Sequence, residues 1–177
     1  MRVITGKYKG RHFAIPKTFR GRPTTDFAKE NLFNVVRQYV DFEGITALDL
    51  FSGTGSISIE LLSRGASRVV SIESNLNNFA LLRQVQQTLA DPAWRPVHAD
   101  ALRIIQNPNQ TFDLVFADPP YSLPQLPCLP QLILESTLLR PGGLLIVEHS
   151  KHTSFANHPL LIDHRAYGAV NFSLFRK

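Results

Sequence analysis

The segment ITALDLFSGTGSISIELLSRGASRVVSIE (residues 45–73) decides the fold. ITALDLF is a short apolar run rich in strand formers. SGTGS breaks it with two glycines, SISIELLSRG has helical spacing and stops near Gly65, and SRVVSIE is a second apolar run. A strand, a glycine turn, a helix and a second strand within 29 residues leave room only for a crossover connection, so the two strands lie parallel. Gly53 and Gly55 permit a tight turn with exposed backbone amides facing a ligand.

The same alternation continues outward. NLNNFALLRQVQQTLA (75–90) reads as a helix, RPVHAD (95–100) as a weak strand, and ALRIIQ (101–106) as a short helix. TFDLVFAD (111–118) is an apolar strand, LPQLILESTLL (129–139) contains a helix, and GGLLIVEH (142–149) is a strand. The end, PLLIDHRAYGAVNFSLFRK (159–177), reads as an antiparallel hairpin turning at Tyr167-Gly168. Upstream, RPTTD supplies the capping candidates Thr24, Thr25 and Asp26, and a helix starts near Asp26 with Phe27, Leu32, Phe33, Val36 and Val40 at helical spacing. The expected architecture is α/β: a mostly parallel central sheet with helices on both faces, ending in an antiparallel hairpin.

Composition fits one globular domain: 177 residues, 44% hydrophobic and 19% charged. No apolar run reaches the roughly 20 residues that span a bilayer, and MRVITGKYKG lacks an apolar signal core, so a cytoplasmic protein without membrane contact is expected. A single cysteine, Cys128, excludes an internal disulfide and lacks a histidine motif, and the six histidines lack metal-ligand spacing, so no metal is expected. The net charge of +5 is uneven. Residues 1–22 hold seven of the nineteen Lys and Arg and none of the fourteen Asp and Glu, leaving the remainder at 12 − 14 = −2. Arg2, Lys7, Lys9, Arg11, Lys17, Arg20 and Arg22 alternate with Tyr8, Phe13 and Phe19, a footprint for a polyanion that a solvated surface hairpin would also show. RVITG and HFAIP are expected to pair as its strands.

Open parallel sheets bind ligands at the carboxyl ends of their strands, and there the chain places acids: Asp49, Glu73, Asp100 and Asp118. Glu73 lies twenty residues after Gly53, where a carboxylate binds a ribose diol. The third glycine of a dinucleotide fingerprint would fall at Ser58, and no phosphate-loop lysine is present. An acidic lining suits a ligand with a cationic amino acid group and a ribose but no phosphate, which is the chemistry of S-adenosylmethionine.

DLFSGTGS with Glu73, Asp100 and DPPY (118–121) resembles the class I, Rossmann-like S-adenosylmethionine-dependent methyltransferases that modify base amines. The resemblance implies cofactor contacts at Asp49, Phe51, Ser52, Gly53, Thr54, Gly55, Glu73, Ser74, Asp100, Ala101 and Asp118. It implies a catalytic tetrad of Asp118, Pro119, Pro120 and Tyr121: Asp118 and the Pro119 carbonyl accept the amine hydrogens, Pro119 and Pro120 stiffen the turn, and Tyr121 stacks on a flipped base. RVITGKYKGRHFAIP (2–16), RPTTDFAKENLFN (22–34) and AYGAVNFSLF (166–175) extend the likeness over nearly the whole chain, to the bacterial small-subunit ribosomal RNA guanine-N2 methyltransferases.

That family implies methylation of one guanine amine in 16S ribosomal RNA within a partly assembled small subunit, by a monomer. A basic amino-terminal hairpin arm (1–22), with RNA contacts at Arg2, Lys7, Lys9, Arg11, Arg20 and Arg22, would precede a methyltransferase domain (23–177). The family's arginine-rich turn after RPTTD is replaced here by FAKEN, with Lys29 and Glu30 as nearest equivalents, and the Pro-rich SLPQLPCLPQ (122–131) also departs from the pattern. It reads as a loop with a helix start. Thr24 and Thr25 read as caps that the resemblance places near the cofactor, and Glu148 as a strand-end polar group. DPPY would serve an adenine N6 in DNA or another RNA base amine equally well, although 177 residues leave no room for a DNA target-recognition domain. A cofactor-binding RNA module without catalysis would not need DPPY.

Overall fold

A computed structural model describes residues 1–16, 19 and 24–177. Its seven-stranded sheet has the order β3-β2-β1-β4-β5-β7-β6. The strands are β1 (Thr46–Leu50), β2 (Arg68–Glu73), β3 (Trp94–His98), β4 (Phe112–Ala117), β5 (Leu139–His149), β6 (Leu161–Tyr167) and β7 (Val170–Arg176). The first five pair in parallel, and β7 pairs antiparallel with both β5 and β6. The expected parallel sheet and terminal hairpin are both present. Strand order reverses between β1 and β4, which makes the carboxyl edge of those two strands the switch point.

The helices are α1 (Asp26–Val36), α2 (Ser56–Ser63), α3 (Leu76–Leu89), α4 (Ala101–Gln106) and α5 (Leu129–Glu135), with one 3₁₀ turn at Leu126–Cys128 inside the Pro-rich stretch. Each face of the sheet carries its own core. Val69, Phe116, Ile146 and Phe172 pack with α1, α2 and α3 on one side, while Leu48, Val70, Val115 and Val147 pack with α4 and α5 on the other. Alternation along each strand makes this sorting automatic. Thr25 is the residue that caps α1, accepting the Ala28 amide at 3.1 Å. α1 ends at Val36, so Val40 lies beyond it, and Phe27, expected on the apolar face, is 69% exposed.

The amino-terminal segment keeps only a short part of the expected hairpin. Its two sides pair around the antiparallel bridge Arg2–His12, with Val3 donating its amide to the Arg11 carbonyl, Gly10 to Val3 and Phe13 to Met1 (each 3.0 Å), and no regular strand forms. The cause is competition for backbone donors. Ile4 and Thr5 donate their amides to the Glu60 carboxylate (2.8 and 3.1 Å), while Lys7 and Tyr8 donate theirs to Ser63 on the same helix (2.8 and 2.9 Å). Val3 and Phe13 are buried in the core beside α1. Residues 1–16 are thus sewn onto α2. Lys29 adds a stitch from α1: its 1%-exposed Nζ donates to the Arg2 carbonyl (2.6 Å) and Ser56 Oγ (2.9 Å), and burial pulls its pKa down.

Glu60 is fully buried and accepts the Ile4 and Thr5 amides and Arg64 Nε. Glu60→Ala strands all three donors and should cost about 2–4 kcal/mol in chemical denaturation. It should also accelerate amide exchange at Ile4 and Thr5, and unchanged exchange there would contradict the anchoring role.

Candidate active site

At the switch point the carboxyl ends of β1, β2, β4 and β5 enclose a cavity of about 600 Å³, within the range of small-molecule sites. Its wall brings together Phe51, Gly53, Glu73, Ser74, Ala101 and all of DPPY. A smaller recess of about 40 Å³ opens beside it, where Asp49, Ser52 and Thr54 face Asp118. Two of the sequence-named residues do not line either space. Gly55 supports the loop from behind, and the exposed Asp100 turns its carboxylate to cap α4, accepting the Arg103 amide at 3.0 Å.

The glycine loop is held by backbone pairing and by one carboxylate. Ser52 donates its amide to the Ile72 carbonyl (2.9 Å), and Glu73 accepts the Gly53 amide on one oxygen (3.0 Å) and the Asn75 amide on the other (2.7 Å). Each oxygen retains a further lone pair for a hydroxyl. Phe51 sits at φ 62°, a left-handed conformation unusual for a bulky side chain, and its ring lines both spaces. Such backbone strain is characteristic of ligand-binding loops.

Asp49 is 1% exposed and ends a buried relay. Trp94 Nε1 donates to Ser71 Oγ (2.7 Å), Ser71 and Ser58 share a hydrogen bond (2.6 Å), and Ser58 donates to Asp49 (2.5 Å). Because the single hydroxyl proton of Ser58 goes to Asp49, Ser71 is the donor in the bond the two serines share. Burial nevertheless pushes the Asp49 carboxyl up to about 7, against the Ser58 bonds and with a smaller contribution from Glu73.

Asp118 follows β4, and its amide continues the ladder to the Leu50 carbonyl (3.3 Å). Its carboxyl is held well above the usual range by desolvation first, then by Glu148 and Asp49. Tyr121 is 47% exposed at the cavity mouth, and its hydroxyl reaches Glu148 Oε1 at 3.4 Å. Pro119 is buried and Pro120 exposed. Among the described residues, no group of three His, Cys, Asp or Glu is arranged to hold a metal ion.

A family model described as conserved hypothetical protein 95 matches residues 1–176. The chain belongs to that family. Its relatives include YlbH of Bacillus subtilis, 33% identical over 190 residues that span 100% of this chain and 99% of the relative. Ribosomal RNA small subunit methyltransferase D of Haemophilus influenzae is 30% identical over 182 residues, 99% of this chain and 93% of that one. The solved structure of yhhF from Escherichia coli superposes with a TM-score of 0.86 at 27% identity, covering 100% of this chain and 97% of that chain. The architecture is that of a Rossmann-like class I methyltransferase, and the likeness to the bacterial small-subunit ribosomal RNA methyltransferases is borne out at the level of family.

Within this family member, several wall residues lie outside the set named from sequence. Glu148 is 5% exposed and faces the cavity, not solvent beyond the strand end. Thr24 and Thr25, which the resemblance places near the cofactor, line the wall from the α1 side, and Asn75, Asn78 and Ser122 also line it. Asn75 and Asn78 were readable only as the cap and first turn of α3; their position beside Glu73 was the available signal. On the amino-terminal segment, Arg2 pairs with Asp26 (3.3 Å), Lys7 with Asp91 (3.0 Å), and Arg11 lies over the Tyr8 ring (5.4 Å). Lys9 is exposed. Arg20 and Arg22 lie outside the described residues, as does Lys17. No helix among the described residues is long and apolar enough to cross a membrane.

Gly55 has φ 75°, and a Cβ there would stand 2.7 Å from Leu82 Cδ2 and 2.9 Å from Trp94 Cζ2. Gly55→Ala should cost about 1–3 kcal/mol and lower Tm by roughly 3–10 °C in thermal denaturation. An unchanged Tm would contradict the packing argument.

Proposed function

We propose that this protein transfers a methyl group from S-adenosylmethionine to the exocyclic N2 of a guanine in 16S ribosomal RNA, within a small-subunit assembly particle. The observation that carries the reading is the cavity wall that combines DPPY with the Glu73-anchored glycine loop, beside the recess that holds the buried Asp49. Ribosomal RNA as substrate is supported by the Haemophilus relative's name. Guanine N2 is supported by the likeness of the amino-terminal, RPTTD and Y-G segments.

The site's chemistry fits the cofactor. Asp49, whose pKa burial raises to about 7, gains a counter-ion from an α-ammonium group and stays ionised. Glu73 offers acceptors to a ribose diol, Phe51 offers an apolar face to the adenine, and the loop lacks phosphate-binding groups. When bound, the cofactor supplies an electrophilic methyl on a sulfonium.

The protein's part is to make a weak nucleophile attack. The N2 lone pair of guanine is delocalised into the ring. Asp118 and the Pro119 carbonyl accept the two N2 hydrogens, favour a pyramidal nitrogen and aim its lone pair at the methyl. Tyr121 stacks on the flipped base and holds it in the mouth. The N2 lone pair would form the new N–C bond to the methyl that the cofactor supplies, with the sulfur–carbon pair leaving on sulfur, and one N2 proton would then pass to the Asp118 carboxylate. Exposed Lys9 and Arg11, with Arg2 and Lys7, offer cations to phosphates near the amino terminus.

Labelled methyl transfer to small subunits lacking the modification, followed by nucleoside analysis, should yield N2-methylguanosine. Asp118→Ala should lower turnover by at least about 10³-fold with cofactor affinity kept within a few-fold. Wild-type rates should fall on acidification at a pH well above an ordinary carboxylate's, because the ionised form of Asp118 is active and its pKa is raised. Asp118→Asn, which still accepts a hydrogen bond but does not titrate, should keep partial activity and lose that acid limb. N6-methyladenosine as product, or unchanged turnover in Asp118→Ala, would overturn the reading.

A further inference from the structure

Glu148 has no role in the mechanism above, yet it is buried in the wall beside Asp118. Ala117 and Val147 are parallel partners on β4 and β5, so Asp118 and Glu148 stand side by side one position further on, on the face that Phe116 and Ile146 share. The Tyr121 hydroxyl and Thr24 Oγ1 reach its two oxygens at 3.4 and 3.5 Å, both at the long limit for hydroxyl donors. Because the Tyr121 ring points its hydroxyl at Glu148, a base stacked on that ring turns one edge toward the same carboxylate.

We propose that Glu148 accepts the N1–H of the target guanine and thereby selects guanine over the other amine-bearing bases. The inference rests on the guanine-N2 reading. Guanine is the base whose exocyclic amine adjoins a ring N–H. Beside the amines of adenine and cytosine stands a ring nitrogen lone pair, which a carboxylate repels. Three acceptors in a row, the Pro119 carbonyl, Asp118 and Glu148, match the three donors of the guanine edge, two on N2 and one on N1. After desolvation, Glu148 is the chief opponent of Asp118 ionisation, and a ligand that donates to both relieves that opposition. The residue therefore acts by attraction to guanine and by repulsion of its competitors.

2-Aminopurine probes the contact: it keeps the 2-amine and has a lone pair in place of N1–H, and because it also lacks O6, the change of its ratio in a Glu148 variant, rather than the wild-type ratio by itself, reads the contact. Small subunits would be reconstituted with 16S RNA carrying either guanine or 2-aminopurine at the position that the wild-type enzyme methylates. Wild-type kcat/KM should favour guanine by roughly 100-fold or more. Glu148→Gln, whose amide can turn its NH₂ toward a ring lone pair, should narrow that ratio at least about tenfold while cofactor affinity stays within about threefold. Glu148→Asp should methylate more slowly and keep the guanine preference. A wild-type ratio near one, an unchanged ratio in Glu148→Gln, or a loss confined to cofactor affinity would each overturn the assignment. Failure of the guanine-N2 reading looks different: wild-type enzyme would then leave no N2-methylguanosine at all.

Discussion

Parallel pairing of β1 with both β2 and β4 brings Asp49, Glu73 and Asp118 to one edge of the sheet, and β5 adds Glu148. Strand alternation puts Asp49, Ser71, Glu73, Asp118 and Glu148 on the side of the sheet that α1, α2 and α3 cover. Desolvation makes ionisation of Asp49 and Asp118 harder, and neighbouring carboxylates add to that effect. Asp49 and Asp118 both carry raised pKa values for these reasons. The proposed ligands answer that excess: a cationic amino acid group at Asp49, a diol at Glu73, and a row of N–H donors at Asp118 and Glu148.

Holding this arrangement requires a stiff second layer. The Trp94–Ser71–Ser58–Asp49 relay ties the deepest carboxylate to the core, and Gly55 allows α2 to begin directly against Trp94. Every residue of α2 is buried, because α1, the amino-terminal segment and the sheet all close around it. Glu60 and Lys29 make those closures polar and directional, which fixes the helix whose first turn abuts the recess.

Much of this was legible in the sequence. Apolar runs bounded by glycine and proline gave the strand and helix order, and the rule that strand carboxyl ends bear ligands located Asp49, Glu73 and Asp118. Where the reading fell short, the missing information was long-range. Asp100 sits at the predicted strand end, but a neighbouring helix claims its carboxylate. Glu148 looks like any strand-end acid until β4 and β5 are paired in register. The amino-terminal residues alternate like a hairpin, yet the amides of Ile4, Thr5, Lys7 and Tyr8 go to Glu60 and Ser63, more than fifty residues away, and only the outer end pairs across. Phe27 has helical core spacing, but α1 turns that position outward, where it meets Tyr167 edge-on at 6.2 Å.

On the proposed reading, a ligand cation lets Asp49 stay ionised where burial raises its pKa. Titration calorimetry of S-adenosylmethionine binding near pH 6.5, in buffers of different ionisation enthalpy, measures it directly. With Asp49 poised at about 7, binding should release a sizeable fraction of a proton, and Asp49→Asn should abolish that release. Proton uptake, or no linkage in the wild-type protein, would contradict the account.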